Sequence, residues 1–379
     1  MRSLSTARDL CDHHHPGLLK ALGDIPYERR EAPGSPVIDL FRNHDGAGLL
    51  IPREYGGHGA DALDAIRVQR ALGSLSPSTA AVAAMHHFTA ATLYALAADP
   101  GRLTPAQLET LSGIAPGRRL MASGWAEGRT QQNILVPAVA ATPTEGGYLL
   151  NGTKKPCSLS RSMDLLTASI AVPGPDGAPE LALAMVNLPT RGLSVHPFWG
   201  NDVLAAAESD EVRLTDVFVP EELVVRTTAE DPGRLDDLQT VAFVWFELLI
   251  SAAYVGAAST LAEQVLVRER GTAGERAALV IRIDSAFALL EGAARAVLAG
   301  LGGEEAVAQV LVARYTVQDL LAQAVDQAVE LLGGLDFIRS GDHARLATAV
   351  RALAFHPPGR GAAAEPLVAW FAGNPLELS

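Results

Sequence analysis

The spacing of apolar residues changes twice along this chain, and its fold must accommodate both changes. Up to about residue 118, stretches such as DALDAIRVQRALGSL place apolar residues three and four positions apart, which is typical of amphipathic helices. Short β-rich runs such as LLTASIAVP and LALAMVNLP follow, separated by turn-forming clusters. From about residue 226 the sequence again favours helices, in long stretches rich in Ala, Leu and Val.

This order predicts an α+β protein with an N-terminal helical domain over residues 1–118, a middle antiparallel β-barrel over 119–225 and a C-terminal helical bundle over 226–379. A chain of 379 residues is long enough for two or three domains. The breaks RGTAGE, AGLGGEE and GGLDFIRSGD divide the last region into four or five helices. Ser76 followed by Pro77 predicts the start of an N-terminal helix.

The composition excludes several classes of partner and site. The formal net charge is −13, so the surface repels phosphate backbones and we expect no nucleic-acid partner. Cys11 and Cys157 are the only two cysteines and form no CxxC pattern, which excludes a disulfide framework and a thiolate zinc site and favours a cytoplasmic location. The triplet His13–His15 has no matching ligands nearby, so we expect an exposed loop there and no metal site.

The most membrane-like segment is VAFVWFELLISAAYVGAASTLA, residues 241–262, in which Glu247 is the only charge. The segment is long enough to span a bilayer. It is also rich in Ala, Ser and Gly, and amphipathic helices follow it. Since helices that are apolar all round also occur in large soluble cores, we predict the central helix of the bundle and no membrane span.

Five segments, in chain order, resemble motifs of one family. They are LLIPREYGGHGAD (49–61), WAEGRTQQN (125–133), GYLLNGTKKPCSLS (147–160), RLTDVFVPEELVV (213–225) and AVELLGG (328–334). Each is similar to the corresponding motif of the acyl-CoA dehydrogenases, and together they cover about residues 45–355. The order of helical, β and helical regions is also that of this family.

The resemblance implies a flavin between the β domain and the bundle, normally FAD, which itself carries the electrons. Ser158 falls where the family has a Thr at flavin N5, although Ser is also common in ordinary turns. Ala126 and Glu127 fall on the strand whose backbone contacts the pyrimidine edge. The family's usual adenylate-binding motif is altered here. Arg268 or Arg270 could substitute for it; otherwise FMN or a freely exchanging reduced flavin becomes the alternative.

The sequence departs from the family at the catalytic base, which is a carboxylate of raised pKa in the dehydrogenases. The late segment ALAFHPPGRG, residues 352–361, has no carboxylate, and His356 occupies the place. The family's second location for the base is on the first bundle helix. There Glu247 is one residue out of register, a displacement of about 100° around a helix. A buried Glu paired with an Arg or a hydroxyl is the alternative interpretation of Glu247.

With these departures, the sequence resembles the flavin monooxygenases of the dibenzothiophene monooxygenase type. In that branch His356, Ser158 and either His86 or His87 would surround the flavin. A neutral imidazole and a hydroxyl can hydrogen-bond a flavin C4a-hydroperoxide, formed from reduced flavin and oxygen, and can move its proton. Each histidine taken alone is also compatible with a satisfied core histidine.

Three functional hypotheses follow from these features. The first is an oxidoreductase acting on an acyl thioester, bound to CoA or a carrier protein, or on a similar small substrate, with Glu247 or a substitute as the base. The second is a monooxygenase that uses reduced flavin and oxygen. The third is a catalytically degenerate family member. The possible partners are an acyl carrier protein or a flavin reductase, and the resemblance implies a homodimer or homotetramer built through the bundle.

Overall fold

The protein is described from a computed structural model that covers residues 1–128, 135–174, 177–228 and 235–378. The N-terminal part is helical, as predicted. Its helices are α1 (Arg2–His14), α2 (Leu18–Gly23), α3 (Tyr27–Arg30), α4 (Val37–Asn43), α5 (Ala62–Leu75), α6 (Pro77–Ala97) and α7 (Pro105–Ser112). The hydroxyl of Ser76 accepts a hydrogen bond from the Thr79 amide, and Pro77 lies in the first turn of α6, which confirms the predicted helix start.

The middle of the chain forms one mixed sheet. Its strands are β1 (Met121–Gly124), β2 (Ala140–Thr144), β3 (Gly147–Cys157), β4 (Leu165–Pro173), β5 (Pro179–Asn187), β6 (Leu193–His196), β7 (Asp210–Pro220) and β8 (Val224–Arg226). The strand order is β6-β7-β3-β2-β4-β5-β8, and β1 pairs with β4. The pairings β1–β4 and β2–β4 are parallel, so the sheet is not wholly antiparallel as predicted. The difference arises because β1 enters from the helical domain and runs alongside β4 instead of forming a hairpin.

The C-terminal part is a helical bundle. Its helices are α8 (Asp237–Val267), α9 (Ala273–Leu298), α10 (Gly303–Leu332), α11 (Gly334–Arg339), α12 (Gly341–Arg351) and α13 (Arg360–Phe371). The segment GGLDFIRSGD, which was expected to be a break, contains the short helix α11. The described residues of this region therefore form six helices, whereas four or five were expected. The order of helical, β and helical regions is confirmed, whereas the domain boundaries stay predictions.

Helix α8 lies at the centre of the bundle. It packs against α5, α6, α9, α10 and α12. By length and composition alone, α6 and α8 are both apolar enough to cross a membrane, but 83% of the most apolar window of each is buried inside the protein. This burial agrees with the prediction of residues 241–262 as a central bundle helix.

Helices α5 and α8 approach each other through their backbones. A Cβ atom added at Gly73 would lie 2.0 Å from the carbonyl oxygen of Ala253, and one at Gly256 would lie 2.2 Å from that of Arg70. Both distances are far shorter than atomic contact allows. The two glycines therefore set the separation of the helices and, through it, the position of α8.

We expect Gly256→Ala to lower the free energy of unfolding by about 2 kcal/mol, because the added methyl group forces α5 and α8 apart, and this cost outweighs the better helix propensity of Ala. Gly292→Ala in α9 is the matched control, since no atom lies within 4 Å of its added Cβ. The control should stabilise the protein by about 0.5–1 kcal/mol. Denaturant unfolding measures both values, and equal effects of the two substitutions would contradict the close approach.

Candidate functional site

Three of the predicted flavin-binding residues lie at one corner of the sheet, where β1 ends beside the end of β3. The amide of Lys155 donates a hydrogen bond to the carbonyl oxygen of Ala126, at 2.8 Å, and Glu127 forms a parallel bridge with Lys155. The hydroxyl of Ser158, in the turn after β3, lies 2.9 Å from the hydroxyl of Ser209. The rest of the WAEGRTQQN motif, residues 129–133, lies outside the described residues.

The side chain of Glu127 has a structural task at this corner. It accepts hydrogen bonds from the amides of Ala138 and Val139 and binds the ammonium group of Lys154 at 2.6 Å. Lys154 is fully buried, and burial lowers its pKa to about 8 despite the neighbouring carboxylate. Glu127 therefore joins β3 to the chain entering β2, and any contact with a flavin falls to its backbone.

A narrow pocket lies where this corner meets helices α6 and α8. Its lining residues come from the two helices and the sheet: Phe88, Thr89, Thr92, Trp125, Thr167, Leu183 and Ala242. Three threonine hydroxyls are thus set among apolar walls. Phe88 contacts Phe246 of α8 edge to face, with ring centroids 5.4 Å apart, and Phe246 contacts the ring of His356 at 5.7 Å. A continuous row of rings therefore connects the pocket to His356.

His356 is half-buried, and its Nε2 lies 2.8 Å from the hydroxyl of Tyr254 on α8. Burial, followed by the positive charge of Arg314, lowers its pKa to about 3. The imidazole is therefore neutral at physiological pH. A neutral imidazole bonded to a phenol can donate or accept a hydrogen bond without carrying charge, but with this pKa it is a weak proton acceptor.

The structure agrees with the alternative interpretation of Glu247, a buried Glu paired with an Arg. Its Oε1 accepts a hydrogen bond at 2.9 Å from Arg314 of α10, and both side chains are fully buried. Burial raises the pKa of Glu247 to about 7, against the opposing effect of Arg314. As a catalytic base, Glu247 would first have to leave this ion pair.

His86 and His87 point away from the pocket, because successive residues of a helix turn by about 100° and Phe88 faces α8. His86 is a satisfied core histidine: its Nε2 bonds the carbonyl oxygen of Ala47, and its Nδ1 accepts from the amide of Met121. His87 is fully buried against Phe41 and His86, with no hydrogen-bond partner found for either ring nitrogen among the described residues. The structure therefore does not place either residue beside His356 or in the pocket.

Two further residues considered in the sequence, Arg268 and His15, lie away from this site. Arg268 caps the end of α8 and pairs with Asp336 of α11, which also binds His343 at 2.6 Å. His15 was expected in an exposed loop but is buried, because α1 extends to His14 and the Nδ1 of His15 bonds the carbonyl oxygen of His44 at 3.1 Å.

The corner of the sheet fits the hydrogen-bonding edge of a flavin. The paired hydroxyls of Ser158 and Ser209 can donate toward N5, and the chain at Ala126 offers its backbone. Gly128 has a positive φ of 70°, a conformation that favours glycine, and a Cβ there would lie 2.7 Å from the Lys155 side chain.

Sequence reasoning missed Tyr254, Arg314 and Ser209. Tyr254 lies seven residues after Glu247 in α8, so helical spacing could have placed both on one face. Arg314 is the only charge in the apolar stretch VLVARYTVQ, residues 310–318, a signal for a buried pair. Ser209 lies in a loop far from Ser158 in sequence, and no local pattern joins the two.

The fold and this corner define a flavin-dependent oxidoreductase, and comparisons with known proteins agree. A family model described as acyl-CoA dehydrogenase, N-terminal domain, matches residues 5–100. The chain is 59% identical over 378 residues to isobutylamine N-hydroxylase of Streptomyces viridifaciens, with 100% of both chains covered. It is 33% identical to dibenzothiophene monooxygenase of Rhodococcus qingshengii over 206 residues, which are 52% of this chain and 47% of that protein.

The solved structure of KijD3 in complex with FMN and a dTDP-linked amino sugar superposes with a TM-score of 0.81 and 23% identity, covering 98% of this chain and 94% of that chain. The chain belongs to the acyl-CoA dehydrogenase superfamily, on the side of its flavin-dependent hydroxylases and monooxygenases. It is an enzyme with a flavin cofactor, as the sequence predicted. The hypothesis of a catalytically degenerate member loses its support.

We expect His87→Leu to weaken the loss of stability at low pH. The pKa of His87 is far below its usual value, chiefly because the ring is buried and next because His86 and His15 are close. Between the unfolded pKa and the lower folded one, the unfolded chain binds a proton that the native state does not, so stability falls as pH falls. Removing this imidazole should reduce the loss between pH 7.5 and 5.5 by about 1.4 kcal/mol.

Denaturant unfolding at the two pH values measures the effect. Leu93→Ala, at another buried position of α6, is the control, since it removes packing but no titrating group and should act equally at both pH values. A pH dependence of His87→Leu identical to that of the unsubstituted protein would show that His87 is not held neutral by burial.

Proposed function

We propose that this enzyme is a flavin-dependent monooxygenase that hydroxylates the nitrogen of a small primary amine of the isobutylamine class. The observation that carries the proposal is the 59% identity to isobutylamine N-hydroxylase, which extends over 100% of both chains. At the level of the reaction, this supports the monooxygenase hypothesis over the acyl-thioester hypothesis that the sequence placed first.

The residues that line the pocket suit a small amine that must lose its charge, but the cavity holds only about 10 Å³, room for one water, so an amine enters only when the lining side chains move. An amine reacts as a nucleophile only in its neutral form, and an apolar surrounding disfavours an ammonium ion. Phe88, Leu183 and Ala242 supply the apolar walls, and the threonine hydroxyls offer weak partners to a neutral amine. No carboxylate lines this pocket in the described part of the chain, so nothing there holds the substrate as an ammonium ion.

His356 is our candidate for the group that hydrogen-bonds the reacting atoms. Its imidazole is neutral and bonded to Tyr254, and Phe246 lies between it and the pocket lining, so a substrate reaches His356 only past this ring. A bound reduced flavin would supply the activation of oxygen and the transfer of one oxygen atom. The residues of this chain would orient the amine, hydrogen-bond it and keep water away.

The flavin is proposed to arrive in reduced form from a separate reductase and to exchange, rather than to stay as tightly held FAD. The pairing of Arg268 with Asp336 supports this alternative, because the guanidinium predicted to hold an adenylate already has a partner. An acyl carrier protein is not needed for a free amine. Reductase partnership and reduced flavin are compatible with the cytoplasmic location that we propose.

A homo-oligomer built through the bundle remains our proposal for the assembly. Six large apolar side chains on α11, α13 and the turn before His356 are between 61% and 86% exposed: Leu335, Phe337, Ile338, Phe355, Val368 and Phe371. Large apolar side chains as exposed as these are typical of an interaction surface.

We expect sedimentation velocity to show a dimer or tetramer, and the double substitution Ile338→Asp, Phe371→Asp to shift it toward monomer, because two charges would be desolvated at the interface. Phe218→Ser, at an exposed apolar position of the sheet, is the control and should leave the assembly unchanged. A monomeric unsubstituted protein would rule this proposal out.

The proposed activity predicts that the purified protein converts isobutylamine to its hydroxylamine when given reduced flavin and oxygen. His356→Ala should lower the hydroxylamine formed per oxygen consumed by about 10²-fold, as expected for loss of a hydrogen-bonding group at the reacting atoms, while hydrogen peroxide release rises. Mass spectrometry measures the product, and a peroxide assay measures the uncoupled oxygen.

His196→Ala, at the edge strand β6, is the matched control and should behave like the unsubstituted enzyme. A second experiment mixes acyl-CoA substrates with the enzyme and oxidised flavin, to test for thioester oxidation. Flavin reduction by an acyl thioester, together with no hydroxylamine from any small amine, would overturn the proposed function in favour of thioester oxidation.

A further inference from the structure

One guanidinium organises the segment that carries His356. Arg314 of α10 donates from one nitrogen to the carbonyl oxygen of Pro358, at 3.1 Å, and from the other to those of Leu353, at 3.2 Å, and His356. These three carbonyl groups span the whole turn between α12 and α13. No other side chain in the described residues bonds more than one of them.

The neighbouring residue of α10 completes the attachment. The hydroxyl of Tyr315 donates to the carbonyl oxygen of Pro358 at 2.9 Å, and Arg360 returns a bond to the carbonyl oxygen of Tyr315 at 2.7 Å. The segment has little hydrophobic anchoring of its own, since Leu353 is buried but Phe355 is 86% exposed. Its conformation therefore depends on hydrogen bonds from α10.

A fully buried guanidinium needs a negative partner, because an isolated charge in a protein interior is strongly destabilising. Glu247 provides it at 2.9 Å. The other oxygen of Glu247 has no hydrogen-bond partner among the described residues, so the carboxylate depends on Arg314 as much as Arg314 depends on it. Arg314 therefore joins the two, since one of its nitrogens binds Glu247 and the other binds the carbonyl oxygen of His356.

We propose that Arg314 is a positioning residue that holds the 353–358 turn so that the imidazole of His356 meets the hydroxyl of Tyr254, and that Glu247 is the counter-ion of Arg314 and not a proton acceptor. The catalytic consequence rests on the proposed amine hydroxylation, whereas the structural consequence does not. The carboxylate of Glu247 is thus paired with the guanidinium that holds the turn of the neutral imidazole.

The test of the first part is Arg314→Lys, which keeps the positive charge beside Glu247 but cannot reach three carbonyl groups at once. In the purified full-length protein labelled with ¹⁵N-histidine, we expect the His356 ring signals to move to the values seen in Tyr254→Phe. Hydrogen exchange of the amides of residues 353–360 should also become faster. Hydroxylamine formed per oxygen consumed should fall at least about tenfold, because a small displacement of a reacting group is costly.

Arg70→Lys is the matched control. Arg70 is also fully buried and pairs with a carboxylate, Asp284 at 3.1 Å, but its contacts lie between α5, α8 and α9 and not at the turn. It should lower stability without changing the His356 signals or the exchange of residues 353–360. His356 signals in Arg314→Lys identical to those of the unsubstituted protein would overturn the positioning role.

If Arg314→Lys does not fold, the double variant Arg314→Gln, Glu247→Gln answers the same question, since it removes the clamp without leaving a buried charge unpaired. The expected results are the same displaced His356 signals and faster exchange of the turn. Unchanged signals in this variant would count against the proposal equally.

Glu247→Gln tests the second part. As a counter-ion, Glu247 can be replaced by Gln only at a large cost in stability, because the buried guanidinium loses its negative partner, and any fall in turnover of the folded enzyme should be matched by displaced His356 signals. Abolished turnover, with His356 signals and turn protection unchanged, would identify Glu247 as a proton acceptor and overturn its role as a counter-ion.

The two proposals fail separately. If the unsubstituted enzyme forms no hydroxylamine from any amine, the proposed function fails, but the ring signals and hydrogen exchange still decide whether Arg314 positions His356. If hydroxylamine forms and Arg314→Lys behaves like Arg70→Lys, only the positioning role fails.

Discussion

The structure depends on the backbone contact between α5 and α8. Gly73 and Gly256 allow the two helices to approach until one main chain touches the other, and no larger residue fits at either place. Helix α8 then lies at a fixed depth between α6, α9 and α10. Its side chains supply the pocket wall at Ala242, the ring contact at Phe246 and the partner of His356 at Tyr254, so the separation of two helices determines the geometry of the candidate site.

Burial then determines the charges at this site. The imidazole of His356 has a pKa lowered to about 3, and the carboxylate of Glu247 has one raised to about 7, both chiefly through desolvation. A histidine can lose its charge and stay in place, but an arginine cannot, because its pKa is too high. Arg314 therefore needs Glu247, and the neutral His356 can stand beside both. The described residues that line the pocket thus carry hydroxyls, rings and apolar groups, and the charged pairs Glu247–Arg314 and Glu127–Lys154 are not among them.

Periodicity and local motifs were enough to predict the fold order, the start of α6 and the burial of α8, because each of these depends on residues adjacent in sequence. The parallel pairing of β1 with β4 could not be predicted, since the runs that form strands do not reveal which strands pair. His86 and His87 were chosen by their type, yet the rotation of α6 directs them toward Ala47 and Phe41 instead of α8. The pair of Glu247 and Arg314 joins residues on two different helices. The alternative interpretation of Glu247 allowed for a buried pair with an Arg, but nothing in the sequence indicated which Arg is the partner.

The replacement of a carboxylate by an imidazole at position 356 changes which proton the fold can handle. A carboxylate of raised pKa suits removal of a proton from carbon, which requires a base that becomes neutral as the reaction proceeds. The same group would hold an amine substrate as an ammonium ion, and an ammonium ion has no lone pair with which to attack. A neutral imidazole bonded to a phenol avoids that attraction while it still offers a hydrogen bond. The imidazole at position 356, with no carboxylate in the 352–361 segment, is therefore consistent with the same scaffold serving nitrogen chemistry in place of carbon chemistry.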